Sequence, residues 1–367
     1  MIMQPITLGV KFIRFPWHLL ILAMALVVVG SLALYSASGG SWSPWAGRHA
    51  VRGAIGAAIV IILGFIDLKF LRKWSYVLLL ASIVSLAVLL VIDSGRFVSR
   101  WITIAGFTFQ PSEPAKILVI LALAKYFDTI PAERIRSFIT YVPALALIAV
   151  PFLLILKQPD LGTALALLLG SLSVLFVVGL PWRYILGFIV LGLGSIPVMW
   201  SQLHSYQKDR VMTFLNPGAD ALGAGYQITQ SKIALGSGGL FGKGFLMGSQ
   251  SHLNYLPEKQ TDFVFTMIGE EFGLVGNLFI LTIYLLLIGG IWGISFRVGS
   301  RFAQLTCSGL AVMLFLYVFV NVAMVTGLLP VVGAPLPLIS YGGTAMLTVF
   351  IALGIVASQA VHDRSEN

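Results

Sequence analysis

WHLLILAMALVVVGSLALY, residues 17–35, contains one imidazole and no formal charge. Coiled at 1.5 Å per residue, it reaches about 28 Å, close to the thickness of the bilayer hydrocarbon. Lys11 and Arg14 precede it in the manner of a signal peptide, but its length is that of a full crossing, so we read it as an uncleaved first membrane helix. Working outward, a window of about 19 residues finds nine more apolar segments near 50–66, 74–92, 114–127, 138–156, 161–180, 184–200, 267–294, 304–326 and 342–361. The fourth is short unless its helix begins at Pro111. The eighth is too long for one untilted crossing. Composition agrees: of 367 residues 58% are hydrophobic and 10% charged, with mean hydropathy +0.96, whereas soluble domains carry about 25% charged residues. The expectation is an all-α polytopic membrane protein with about ten transmembrane helices. It is one domain over residues 1–367, with a large extracellular loop, residues 201–261, between the seventh and eighth helices.

Ten crossings put both termini on one side. Twelve Lys and Arg residues flank segments on that side, against six on the other (Arg48, Arg52, Arg96, Arg100, Lys116 and Lys157). The positive-inside rule therefore predicts cytoplasmic termini. The formal charge of +9 is dispersed through connections and forms no basic stripe, which argues against nucleic acid as a partner. A single cysteine, Cys307, excludes a disulfide framework, and five scattered histidines show no zinc spacing. GSGGLFGKG, residues 236–244, has Ser237 and Gly244 where a nucleotide-binding phosphate loop needs Gly and Ser or Thr, so nucleotide hydrolysis is rejected; a mobile turn or a backbone nest for phosphate remain as readings.

Nine of the fourteen acids fall in external connections or the outer parts of helices, which places the chemistry outside. In FQPSEPAKI (109–117) the two prolines suit a helix start, and Glu113 and Lys116, three apart, share a face as a staple or as the wall of a polar cavity. In LPEKQTDFVF (256–265), Asp262 stands where the polar loop meets an apolar segment. It reads either as a helix-dipole carboxylate or as a general base desolvated by Phe263 and Phe265. Glu270 and Glu271 are rivals, but neighbours on a helix point about 100° apart and cannot share one site. Trp101 is an interfacial anchor or a sugar platform. Asp160, in KQPDLGT (157–163), is a helix cap or a site residue. LLPVVGAPLPLISYGG (328–343), with three prolines and three glycines, reads as irregular backbone buried beside an outer pocket or as a simple turn.

These ordered blocks, with GAGYQITQSKIALGSGGLFGKG at 223–244, resemble the SEDS family (shape, elongation, division and sporulation) over residues 17–361. PVVGAPLPLISYGG and the short N-terminal tail are closer to its rod-elongation branch than to its division branch. The resemblance implies a peptidoglycan polymerase of the bacterial cytoplasmic membrane that joins lipid II units into glycan. It implies that Asp262 is the catalytic carboxylate, that Trp101, Glu113 and Lys116 matter for activity, and that a class B penicillin-binding protein is the partner. Gln260 departs from the His common before the Thr-Asp pair, which leaves no imidazole there to recruit.

Because diphosphate departs as an anion, such a site needs positive charge more than a second acid. Arg48, Arg100, Arg210, Lys232 and Lys116 are the candidate substrate-binding cations, with Asp160 beside them; a divalent cation such as Mg²⁺ or Mn²⁺ is an alternative source. The rival readings are a flippase for the lipid-linked precursor and a scaffold without chemistry.

Overall fold

A computed structural model describes residues 7–67, 69–92, 101–104, 107–158, 160–202, 205–216, 223–253, 255–256, 258–331 and 333–362. A short helix α1 (Leu8–Arg14) is followed by α2 (Trp17–Ala37), α3 (Ala46–Phe65) and α4 (Lys69–Ile92). Strands β1 (Ile102–Ile104) and β2 (Phe107–Phe109) pair antiparallel, Ile102 opposite Phe109, a small addition to the all-helical expectation. Then come α5 (Ser112–Asp128), α6 (Tyr141–Lys157), α7 (Leu161–Val178) and α8 (Trp182–Gln202). The 201–261 stretch carries α9 (Ser205–Leu215), α10 (Ala224–Gly238) and α11 (Ser249–His252), and the chain closes with α12 (Val264–Arg297), α13 (Arg301–Val325) and α14 (Gly343–His362).

Eight of these helices, α2, α3, α4, α6, α7, α12, α13 and α14, are long and apolar enough to cross a membrane. With the 17-residue α5 and with α8, they fall on the ten apolar segments of the sequence. The fourth segment is completed as its prolines require: Pro111 caps α5 and Pro114 sits in its first turn. That helix is enclosed by α4, α7 and α13, and twelve of its residues are buried, so it is the core helix rather than a lipid-facing one. Small residues let neighbours approach closely. On α3, a Cβ at Gly56 would stand 2.0 Å from the Phe350 ring of α14, so only glycine fits there.

The over-long eighth segment is two helices joined at Gly273, whose φ of 69° and ψ of −163° break α12. The glycine-rich stretch after α10 fills this break. Leu274 N donates to Gly239 O (2.9 Å) and Val275 N to Leu240 O (3.1 Å), while Lys243 N and Gly244 N donate to the carbonyls of Glu270 and Glu271 (both 3.0 Å). Backbone at membrane depth must be satisfied inside the protein, and here one loop repairs one kink. With the amides of Gly242, Lys243 and Gly244 committed to protein carbonyls, the phosphate-nest reading loses its donors, and the stretch is a backbone splice.

Candidate active site

The ends of α5, α7, α12, α13 and α14 meet around a cavity of about 280 Å³. The α5 side supplies Gln110 and Glu113, the α7 side Asp160 and Thr163, and α13 supplies Tyr317. Thr261 and Asp262 enter just ahead of α12, and Gly333, Pro335 and Tyr341 come from the irregular segment between α13 and α14. Trp101, 46% exposed, stands at the rim.

The irregular segment is tied down by polar bonds. Leu336, Leu338 and Ile339 are buried, and Leu336 N donates to Ser340 Oγ (2.8 Å). Ser340 Oγ donates to Thr261 O (2.5 Å) and Tyr341 N to Gln260 O (2.8 Å). The Asn321 amide of α13 donates to both Asp262 O (2.9 Å) and Ala334 O (2.6 Å). The loop carrying Asp262 is thus held from two sides. Preorganisation of this kind fixes a side chain for chemistry. Of the two sequence readings of 328–343, the buried segment lining a cavity is the one realised.

Asp262 is half-buried. Burial, and next the nearby Glu258 carboxylate, push its pKa up to about 6, against a smaller opposing pull from Arg210. Among the described residues none makes a hydrogen bond or ion pair with its carboxylate. Phe263 and Phe265 behind it are buried, and Gly333 faces it from the irregular segment, where a Cβ would make an ordinary contact 3.5 Å from Oδ2 and the left-handed backbone, φ +72°, is what favours glycine.

The other acids on the cavity are committed. Glu113 Oε1 accepts from Lys116 Nζ (2.7 Å) and Oε2 from Tyr317 Oη (2.9 Å). Lys116 also bonds the Tyr317 hydroxyl and lies over that ring, 4.4 Å from its centroid. With 1% of its surface exposed, Lys116 sits beneath Glu113 and Tyr317 and does not line the cavity. Asp160 combines its two readings: it caps α7 through Thr163 N (3.2 Å), accepts from Gln110 Nε2 (2.9 Å) and faces the cavity.

Among the other cations anticipated, Arg210 acts on Asp262 electrostatically from α9. Arg48, in the first turn of α3, and Lys232 on α10 are exposed and do not line the cavity. Arg100 lies outside the described residues. Arg52 was not singled out in the sequence, yet its guanidinium stands 4.8 Å from the centroid of Tyr341 and 3.3 Å from where a Cβ on Gly343 would be. The spacing of Arg48 and Arg52, one helical turn, gave no hint of which one turns inward. Tyr317 was likewise missed, being one aromatic in an apolar run. The rival acids do not reach the cavity: Glu270 pairs with Lys243 (2.7 Å), and Glu271 accepts from Ser36. Among the described residues no group of three or more His, Cys, Asp or Glu could hold a metal ion.

A desolvated carboxylate on a glycine-walled cavity, with guanidinium groups nearby, can take a proton from a bound hydroxyl while an anion leaves. Three known proteins resemble the whole chain. Peptidoglycan glycosyltransferase MrdB of Escherichia coli K12 is 43% identical over 351 residues, 94% of this chain and 93% of the relative. A chain from a solved structure on the coordination of polymerization and crosslinking by a peptidoglycan synthase complex superposes with a TM-score of 0.80 at 32% identity, covering 96% of this chain and 99% of that one. The rod shape determining protein RodA of Thermus thermophilus superposes with a TM-score of 0.71 at 30% identity, covering 96% and 98%. Residues 13–365 match the model of the FtsW/RodA/SpoVE cell cycle proteins, and the chain belongs to that family.

Proposed function

We propose that this chain is a peptidoglycan glycosyltransferase that polymerises lipid II at the outer face of the bacterial cytoplasmic membrane, with Asp262 as general base. The observation that carries the reading is Asp262 itself, facing the cavity with its pKa raised to about 6, so that it is ionised at neutral pH yet basic enough to accept a proton. The 4-hydroxyl of one substrate's N-acetylglucosamine attacks the anomeric carbon of the other's N-acetylmuramic acid. The new C–O bond forms as the bond to the diphosphate breaks, the hydroxyl proton passes to Asp262, and the lipid diphosphate leaves as an anion.

Arg210 and Arg52 are the cations best placed to meet that anion, since one acts on Asp262 and the other borders Tyr341. Lys116 serves as a positioning residue through Glu113 and Tyr317. Trp101 at the rim offers a flat face to a sugar. Because the oxygens of Glu113 and Asp160 are occupied, a divalent cation would take its ligands chiefly from the substrate's own phosphates and water, and would supply positive charge to the departing diphosphate. Both termini are cytoplasmic in this arrangement, in keeping with the distribution of Lys and Arg. The structural relative from a synthase complex supports pairing with a class B penicillin-binding protein that supplies crosslinking.

The test is reconstituted polymerisation of lipid II with and without such a partner, with Mg²⁺ or Mn²⁺ titrated. Glycan from the native chain and none from folded Asp262→Asn supports the reading. Full yield from the folded variant, or translocation of the lipid without polymer, overturns it.

A further inference from the structure

Asn321 lies one turn before the end of α13, wholly buried, and does not line the Asp262 cavity, although its neighbours Tyr317 and Val320 do. Its side-chain nitrogen carries two hydrogens and meets two main-chain carbonyls, Asp262 O at 2.9 Å and Ala334 O at 2.6 Å. Two acceptors fix the orientation of the amide, since the reverse one would set oxygen against oxygen. The remaining oxygen, Oδ1, is buried and meets no donor among the described residues. An unmet buried acceptor weakens a fold. A leucine in this place would have the same branched shape without that cost; what it would lack is the pair of hydrogens.

The two carbonyls belong to opposite walls of the cavity. Thr261 and Asp262, just ahead of α12, form one wall, and Gly333, Ala334 and Pro335 form the other. Gly333, which faces Asp262 Oδ2, is the residue next to the bridged Ala334. Ser340 and Tyr341 tie the same two segments a second time, through Thr261 O (2.5 Å) and Gln260 O (2.8 Å), but at the residues before Asp262. Asn321 grips Asp262 itself. It does so without charge: the ionisable groups around the carboxylate are Glu258 on its own loop, Arg210 on α9, and Glu113, Asp160, Tyr317 and Tyr341 on the cavity walls. A neutral change at position 321 alters none of them.

We propose that Asn321 is a positioning residue for the glycosyl transfer: its amide clamps the main chain of Asp262 to the Gly333–Ala334 wall and so fixes where, and how deep, the catalytic carboxylate stands. The assignment rests on the reading of Asp262 as general base. A reacting group misplaced by about 1 Å can lose about 10²-fold in rate. A carboxylate released from its buried position also returns toward water, and with it toward the ordinary aspartate pKa of about 4.

The experiment is lipid II polymerisation by the reconstituted full chain, with kcat and KM measured from about pH 8 to about pH 5 and folding followed by thermal unfolding in detergent. Folded Asn321→Leu is expected to lose about 10²-fold in kcat, with KM little changed because the side chain touches no substrate. The acid limb of its kcat/KM profile is expected to move down from about 6. Ser308→Ala, buried on the same helix and bonded to Ser295 (2.7 Å), controls for packing within α13 and is expected to keep both rate and profile. Should Asn321→Leu not fold, Asn321→Ser, which keeps one donor, is read in its place, with a smaller loss in kcat and the same downward shift. A folded variant with the native kcat, a loss carried by KM, an acid limb that does not move down, or equal loss in Ser308→Ala overturns the proposal while leaving Asp262 as the base. Full activity of folded Asp262→Asn overturns the reading beneath it instead.

Discussion

Asp262 and Glu270 are eight positions apart and both are withdrawn from water, yet the molecule treats them in opposite ways. Glu270, with no exposed surface, accepts from the Lys243 ammonium (2.7 Å), the Ser249 hydroxyl (3.0 Å) and the Gln250 amide (3.0 Å). Its acceptors are filled, and it locks the glycine loop onto the kink at Gly273. Asp262 is desolvated without such compensation, and Arg210 only partly offsets that burial. The contrast teaches that burial alone does not mark a functional carboxylate; what marks it is burial that the fold leaves unpaid on a surface open to a ligand.

That contrast can be broken first at Asp262. Asp262→Asn is expected to lower polymerisation by about 10²- to 10⁴-fold, the usual contribution of a positioned general base. Thermal stability at neutral pH should hold or rise. The sign follows from linkage: a carboxyl with a folded pKa above its unfolded one is less favourably ionised in the fold, so at pH above 6 its charge opposes folding. Glu270→Gln should do the reverse, costing about 2–4 kcal/mol of stability through lost charge-assisted bonds. Any loss of activity should follow the loss of folded protein, checked by thermal unfolding in detergent. Equal behaviour of the two variants would erase the distinction.

Gly242→Ala sharpens the structural half of the comparison. Its φ is +81° and its Cβ would stand 2.0 Å from Glu271 O, so the loop must leave the kink. We expect about 2 kcal/mol or more of destabilisation, read as a lower unfolding midpoint. The smallest effect is electrostatic. Glu258→Gln removes a repelling carboxylate and should move the titration of Asp262 down by a fraction of a pH unit, whereas Arg210→Ala should move it up. A pH–rate profile of each variant checks the direction.

The crossings were legible because hydrocarbon thickness writes itself into segment length, and Asp262 was legible as the acid where a polar loop enters an apolar run. The helix start at Pro111 and the over-length of the eighth segment were visible too, but the break at Gly273 was not, since it depends on a loop about 30 residues earlier supplying the missing partners. For the same reason the glycine stretch read as a turn or a nest. Local sequence carries φ preferences but not the identity of a distant acceptor. Which cations stand near the cavity, whose lining holds none among the described residues, was the least legible feature. Arg48 and Arg52 differ by one turn of the same helix, and only the approach of Tyr341 from α14's entry selects Arg52. Lys116 looked like a ligand for anions and is instead covered by Tyr317, a residue 201 positions away.

The most direct test is the pH dependence of kcat/KM for lipid II polymerisation by the reconstituted chain, from about pH 8 to pH 5. With Asp262 as the base, the rate holds above neutrality and falls toward tenfold per unit below about 6. A profile that stays flat through that range, in protein that remains folded, would contradict the assignment.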